Sequence, residues 1–249
     1  MDDDTLLAIC HRVADVVPAA IAEVGDWRAA GDRPGQYAID LAADRVVLEV
    51  LAEAGLGVLS EESGLHRPDS EFMAVVDPVD GSTNASRGIS WYATSVCVLD
   101  SAGPRAAVVA NLATGVRYHA VRGGGAWRDT TRISPSDCTE MRRAVVALSG
   151  FPPRHLGWAQ FRALGSAALE MCAVAEGLID AFSVGGRAHL APWDYLGAHL
   201  LCTEAGASVT DLDGRELVTT EFAARRAVAA AATPALLAEL QRAGPAGTG

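Results

Sequence analysis

The sequence contains no lysine: all 20 of its basic residues are arginine, and alanine is frequent. That composition fits a GC-rich genome and carries no mechanism by itself. It has no basic run either, and its 31 acidic residues bring the formal net charge to −11. Nucleic-acid backbones demand clustered cations, so this balance argues against a nucleic-acid partner. The five cysteines (Cys10, Cys97, Cys138, Cys172, Cys202) form no CxxC pair, and the six histidines are scattered. A zinc site or a disulfide framework is therefore not expected; the cysteines read as reduced core residues of a cytosolic protein. No apolar run reaches the length of a membrane span. The opening "MDDDTLLAIC" is acidic where a signal peptide would be basic. A cytoplasmic protein with no membrane partner is the expectation. Internal repeats and long flexible linkers are absent too.

What is present is a chain of 249 residues, 50% hydrophobic and 20% charged. That suffices for one large core or two fused subdomains. The spacing of apolar residues predicts helices over 5–24 and over "AIDLAADRVVLEVLAEAG". "LGVLSEES" reads as a short strand with a polar end, and "FMAVVDPVDG" as a buried strand. "YATSVCVLD", "RAAVVANLA" and "VRYHAVRGGGAW" read as an antiparallel meander. "AVVALS", "LIDAFSV", "ASVTDLDG" and "RRAVAAAA" are further strands. "GSAALEMCAVAEG", "WDYLGAHLLCTEAG" and "TPALLAELQRA" are helices, the last capped by Thr233 with Pro234 at its first position. Strands grouped between helices predict a layered α+β architecture.

Carboxylates cluster where these elements end. Glu61 and Glu62 close one strand, Asp77 and Asp80 another, and Asp194 opens a helix. Such ends gather into sites on sheets. Hard divalent cations prefer oxygen ligands, and magnesium is held by a few carboxylates with water and substrate phosphate. Each feature alone has a plain reading: "SEES" as a solvated turn, Asp194 as a helix cap, "DPVDGSTN" as an Asx turn. A turn needs one aspartate, however, not two behind a buried strand.

"DPVDGSTN" at 77–84, "SEES" at 60–63 and "PWDYLGAHLLCTEAGASVTD" at 192–211 together resemble the signatures of the inositol monophosphatase superfamily. "AVRGGGAWR" and "FRALGSAALEMCAVAEGLIDAF" resemble further family stretches, so the similarity spans nearly the whole chain. The resemblance implies a layered αβαβα sandwich with two mixed or antiparallel sheets. In it, residues 1–135 would carry the first two motifs and 136–249 the third, as one unit. It also implies that Glu61, Asp77, Asp80, Asp194 and the Val79 carbonyl hold two or more Mg2+ ions, with Mn2+ a substitute and Li+ an inhibitor. Ser82 and Glu61 would orient and deprotonate the attacking water. Asp40 best matches the aspartate backing that hydroxyl, with Asp44 the runner-up and an exposed helix carboxylate the plain reading of both. Peptide groups around Gly81, Ser82 and Thr83, with Asp80, would meet the phosphate. No motif for a Cys or Asp nucleophile is present. The family's habits imply a homodimer.

Two departures bear on the substrate. The family's usual Thr is Ser82 here. No carboxylate lies between Asp180 and Asp194, where the inositol enzymes carry a substrate-binding Glu; Arg187 stands there instead. Arginine suits a second phosphate or a carboxylate better than a neutral hydroxyl. Both changes resemble the archaeal-type branch that also hydrolyses fructose 1,6-bisphosphate. The segment from "SGFPP" to "FRALGS" is short as well, and Ser166 is a further candidate substrate contact. The expected activity is a Mg2+-dependent phosphomonoesterase for a small phosphorylated sugar or polyol. Fructose 1,6-bisphosphate, histidinol phosphate, 3'-phosphonucleotides and specialised-metabolite phosphates remain open. A non-catalytic regulatory binding protein is the alternative of another class.

Overall fold

The structure is a computed structural model that describes residues 1–186 and 189–243. Two helices lead: α1 (Asp3–Ala22) and α2 (Ala38–Glu53). Asp2 caps α1 by accepting from the Thr5 N–H at 2.9 Å, and Asp3 and Asp4 complement the positive end of its dipole. Against the sequence expectation, α1 is long and apolar enough, by length and composition, to cross a membrane. In the fold its Leu6, Cys10, Val13, Val17 and Ile21 form a stripe that packs with Ile39, Val47 and Leu51 of α2.

The strands β1 (Gly57–Ser60), β2 (Gly64–His66), β3 (Met73–Asp80), β4 (Ala93–Asp100), β5 (Gly103–Asn111), β6 (Arg117–Val121), β7 (Gly125–Arg128) and β8 (Thr131–Arg132) follow. They form one sheet in the order β2-β1-β3-β4-β5-β6-β7-β8, antiparallel except for β1 beside β3. A short helix α3 (Ser82–Arg87) sits between β3 and β4. The second sheet is built from β9 (Val145–Ser149), β10 (Gln160–Arg162), β11 (Ala181–Val184), β12 (Ser208–Asp211) and β13 (Val228–Ala231), in the order β10-β9-β11-β13-β12. It too is mixed, with β10, β9 and β11 parallel and the rest antiparallel. Helices α4 (Ala167–Ala175) and α5 (Pro192–Ala205) lie between the sheets, and α6 (Pro234–Ala243) covers the far face of the second. The layers are therefore αβαβα, as expected.

The sandwich explains why the central strands read as unbroken apolar runs. Successive side chains point to opposite faces. Ala74, Val76, Val96, Val98 and Val108 pack toward α1 and α2, while Val75, Cys97, Ala107 and Val109 pack with α4 and α5. Both faces are dry, so no polar alternation is left to see. The alanine run of β13 divides the same way, with Ala230 toward α4 and Ala229 and Ala231 toward Leu236 and Leu240 of α6. Cys10, Cys97, Cys172 and Cys202 are free and buried, whereas Cys138, expected in the core, is half-buried. Thr233 caps α6 through the Leu236 N–H at 3.2 Å.

Candidate active site

Asp77 and Asp80 are three residues apart on one strand, so a regular β3 would send them to opposite faces. The ladder shows otherwise. Asp77 lies opposite Ser95 and Asp80 opposite Ala93, so three steps on β3 match two on β4. The extra residue is a bulge that turns both carboxylates to one side. Pro78 sits within it, where a missing N–H does no harm to the ladder, and its carbonyl accepts from the Thr94 hydroxyl at 2.8 Å. Asp77 Oδ1 accepts from the Val79 N–H at 2.9 Å, which braces the bulge from inside.

Two helix starts supply further carboxylates by one device. Asp194 is the third residue of α5, and its Oδ2 accepts from the Ala191 N–H at 2.7 Å. Asp40 is the third of α2, and its Oδ2 accepts from the Tyr37 N–H at 2.8 Å. Each reaches back to cap its helix with one oxygen and has a second oxygen to offer. Asp194 therefore caps its helix and also brings an oxygen near those of Glu61 and Asp77. Glu61 follows β1 in the "SEES" turn, where Ser60 Oγ donates to Asp44 Oδ1 at 2.5 Å and accepts from the Glu62 N–H at 3.1 Å.

Oxygens of Glu61, Asp77 and Asp194 converge within 4.8 Å of one another. Asp80 joins from the side: its Oδ2 accepts from Ser166 Oγ at 2.6 Å and from the Ala168 N–H at 2.8 Å. Loss of solvation, then the neighbouring carboxylates, push Asp77 and Asp194 well above the usual carboxylate range. Burial and Glu62 push Glu61 up to about 7. Burial also lifts Asp80, to about 6 against the pull of its Ser166 and Ala168 hydrogen bonds. Four carboxylates so placed must take up protons or share cations. The donors are all oxygen, which fits magnesium or manganese rather than a thiolate-seeking metal.

The choice between Asp40 and Asp44 is visible in their partners. Asp44 is engaged with Ser60. Asp40 Oδ1 is buried and meets no hydrogen-bond partner among the described residues. Burial pushes Asp40 up to about 7, with the Ser82 hydroxyl among the groups pulling it back. Asp40 therefore stands beside Ser82, and Asp44 supports the turn that carries Glu61.

Gly81 joins β3 to α3 with φ +86°, a conformation that favours glycine. A Cβ there would lie 2.9 Å from the Gly165 carbonyl oxygen, so a side chain would also push apart two backbones that touch. The first intrahelical bond of α3 runs from the Asn84 N–H to the Gly81 carbonyl at 2.8 Å, which leaves the Ser82 and Thr83 N–H groups ahead of it. Thr83 Oγ1 pairs with the Tyr37 hydroxyl at 3.3 Å. Ser166, expected at the substrate, has its hydroxyl on Asp80. Arg187 lies outside the described residues.

Two cavities flank the cluster. One, of about 380 Å³, is lined by Arg33, Asp40, Glu61, Ser82, Trp193 and Arg225. The other, of about 330 Å³, is lined by Asp80, Ser149, Gly165, Ser166, Glu170 and Asp194. Sequence reasoning missed several of these. Arg33 reaches Glu62 at 2.6 Å, and Gln36 also donates to that carboxylate. Arg225 stacks over the Trp193 ring at 5.4 Å. Glu170 is 1% exposed in an otherwise apolar helix. A lone carboxylate in "SAALEMCAVA" was the available signal for Glu170; nothing local marked Arg33 or Arg225.

A layered sandwich whose strand ends and helix starts assemble such a carboxylate cluster defines a class, and comparison with known proteins identifies it. A model of the inositol monophosphatase family matches residues 29–244. The chain belongs to that family. A fructose-1,6-bisphosphatase/inositol-1-monophosphatase of Archaeoglobus fulgidus is 34% identical over 232 residues, covering 89% of this chain and 90% of that one. The Nus factor SuhB of Escherichia coli is 31% identical over 194 residues, 71% of each. Among solved structures, a Pyrococcus horikoshii protein described as having similarities to inositol-1 monophosphatase superposes with a TM-score of 0.88. It is 25% identical and covers 98% of this chain and 100% of its own.

Proposed function

We propose that the protein is a magnesium-dependent phosphomonoesterase acting on a small phosphorylated sugar, polyol or related metabolite. The observation that carries this reading is the convergence of Glu61, Asp77 and Asp194 oxygens within 4.8 Å, with Asp80 alongside. Glu61, Asp77, Asp80, Asp194 and the Val79 carbonyl would hold the ions. Bound there, the metal supplies a Lewis acid for the phosphate and acidifies water. Ser82, backed by Asp40, and Glu61 orient a water and accept its proton. The Ser82 and Thr83 N–H groups meet the phosphate oxygens beside Gly81. The alcohol half of the substrate would lie toward the cavity beside Ser149 and Ser166, across the cluster from Ser82 and Glu61. The leaving oxygen takes a proton from a water molecule as its bond to phosphorus breaks, and the products are inorganic phosphate and the alcohol.

The substrate class divides on Arg187. If that arginine meets a second anionic group, Arg187→Ala raises KM for a bisphosphate more than for a monophosphate. Equal change on both removes it from the substrate site. Li+ inhibition, a homodimer and a cytoplasmic location belong to the same reading. A second reading, a regulatory binding protein, is favoured by the relative named Nus factor SuhB. Against it stands a full carboxylate set, which a non-catalytic protein has no need to keep. The decisive experiment measures phosphate release from sugar, inositol, histidinol and nucleotide phosphates, with and without Mg2+, beside Asp80→Asn. Release only with the metal and only from the unaltered protein is expected. Full activity without Mg2+, or in the variant, overturns the mechanism.

A further inference from the structure

Asp80 is held by Ser166 and the Ala168 N–H, so its position depends on how the chain enters α4. That entry is the segment Leu164–Ser166. The residues before it, Phe161, Arg162 and Ala163, are exposed, and β10 has a neighbour on one side only. Nothing in β10 pins the segment against the site.

Two side chains do. The Leu164 N–H donates to Glu170 Oε1 at 2.6 Å. The Leu164 carbonyl accepts from Asn84 Nδ2 at 2.7 Å. The residue is gripped at both its polar backbone groups, from α4 on one side and α3 on the other. The same Asn84 amide donates its other hydrogen to the Trp91 carbonyl at 2.8 Å. The next residue, Gly165, has φ +87°, and a Cβ on it would lie 3.0 Å from Asn84 Nδ2. Glycine is what lets the segment lie against the amide. Ser166 follows directly and places its hydroxyl on Asp80.

We propose that Asn84 and Glu170 are positioning residues that clamp Leu164 between them and thereby set Ser166 and the Asp80 carboxylate it holds. The proposal rests on the reading of Asp80 as a metal ligand. Neither residue touches substrate in this role. The chemistry is specific. At position 84 both hydrogens of an amide nitrogen are used, on two carbonyls, so a carboxylate of the same shape cannot substitute. At position 170 only an acceptor is used, so an amide of the same shape can.

Two shape-conserving swaps should therefore behave oppositely. Mn2+ binding to the full chain, read by the electron paramagnetic resonance of free Mn2+, gives a measure independent of turnover. Asn84→Asp and Glu170→Ala should each weaken Mn2+ binding and lower kcat/KM by roughly ten- to a hundredfold, the usual range for groups that orient a metal ligand. Glu170→Gln should stay within about threefold of the unaltered protein. Because both side chains act through one residue, Asn84→Asp with Glu170→Ala should lose little more than the worse single variant. If Asn84→Asp does not fold, Asn84→Ala takes its place, and the Gln against Ala contrast at 170 stands alone. Three results overturn the clamp: Glu170→Gln as damaging as Glu170→Ala, losses that multiply in the double variant, or folded variants with a lowered Tm but unchanged Mn2+ binding and kcat/KM. If the unaltered protein releases phosphate from no substrate yet Mn2+ binding follows the pattern, the phosphatase reading fails and the clamp survives.

Discussion

Asp77 and Asp211 are both 2% exposed, yet burial leaves them in opposite states. Asp211 closes β12, and its two oxygens accept from Arg215 Nε at 2.6 Å, Arg215 Nη2 at 3.1 Å and the Ala227 N–H at 2.6 Å. Burial alone would raise its pKa; Arg215 and the backbone donors outweigh that and leave it lowered. Asp77 has the Val79 N–H and otherwise faces Glu61, Asp80 and Asp194, and it is raised. One aspartate is charged and satisfied by the fold. The other is satisfied only if something positive arrives. A buried carboxylate is structural or functional according to whether the chain itself completes its shell.

Exchanging each for asparagine separates the two roles. Asp77→Asn should reduce phosphate release at least roughly a hundredfold, while apo thermal stability holds or rises because a repelled charge is removed. Asp211→Asn should leave kcat/KM within threefold and destabilise by about 1–3 kcal/mol, read as a drop in Tm. Activity that survives Asp77→Asn, or disappears in a folded Asp211→Asn, erases the contrast.

Ser82→Ala tests the neighbouring hydroxyl. A fall in kcat of roughly 10²–10⁴-fold, the range for lost proton-transfer and water-orienting groups, is expected. Ser82→Thr keeps the hydroxyl and should retain most of the activity. An unaltered kcat in Ser82→Ala assigns water orientation elsewhere.

The two regions should also respond to pH with opposite sign. Asp40 and Glu61, near 7, and Asp80, near 6, sit above the ordinary carboxylate range. Between about pH 4 and 7 the folded apo protein therefore binds more protons than the unfolded chain, and its stability falls as pH rises through that window. Asp211, lowered, contributes stability that is present above its ordinary pKa and lost as pH falls through its folded value. Saturating Mg2+ should flatten or reverse the fall between pH 5 and 8, since the ion takes the place of the protons. Urea denaturation at several pH values, with and without Mg2+, reads both. Apo stability that climbs from pH 5 to 8 contradicts the crowded-carboxylate picture.

The smallest effect is expected at Ser60→Ala. It removes the donor to Asp44 and the acceptor for Glu62, for about 1 kcal/mol of stability and a loss of activity under tenfold. A loss as large as that of Asp77→Asn would place Ser60 in the reaction itself.

Much of this was legible before the fold. The apolar runs of β3, β4 and β5, the meander, the Thr233 cap and the three acidic motifs are local, and local pattern carries them. The missed elements are β2, β8 and β10, at most three residues each, the six-residue α3, and the turn that divides "VRYHAVRGGGAW" into β6 and β7; all are too short for a periodic pattern. Three aspartates, Asp2, Asp3 and Asp4, stand at the start of α1 and mask the apolar stretch behind them. The resemblance ranked Asp40 ahead of Asp44, but periodicity does not separate them, since both lie on the buried side of α2; their partners, Ser82 beside Asp40 and Ser60 on Asp44, do.

The sequence by itself determined the class of chemistry: carboxylates at element ends, a glycine and hydroxyls behind a buried strand, and no cysteine or histidine cluster to compete. Residue type sets what a side chain can bind, and that information is local. Tertiary structure decided which of those groups meet. A single extra residue against β4 turns Asp77 and Asp80 to one side, and Leu164, eighty residues from Asn84, is held between it and Glu170. Register and long-range hydrogen bonding depend on the packing of the whole sandwich, so no short stretch of the chain contains them.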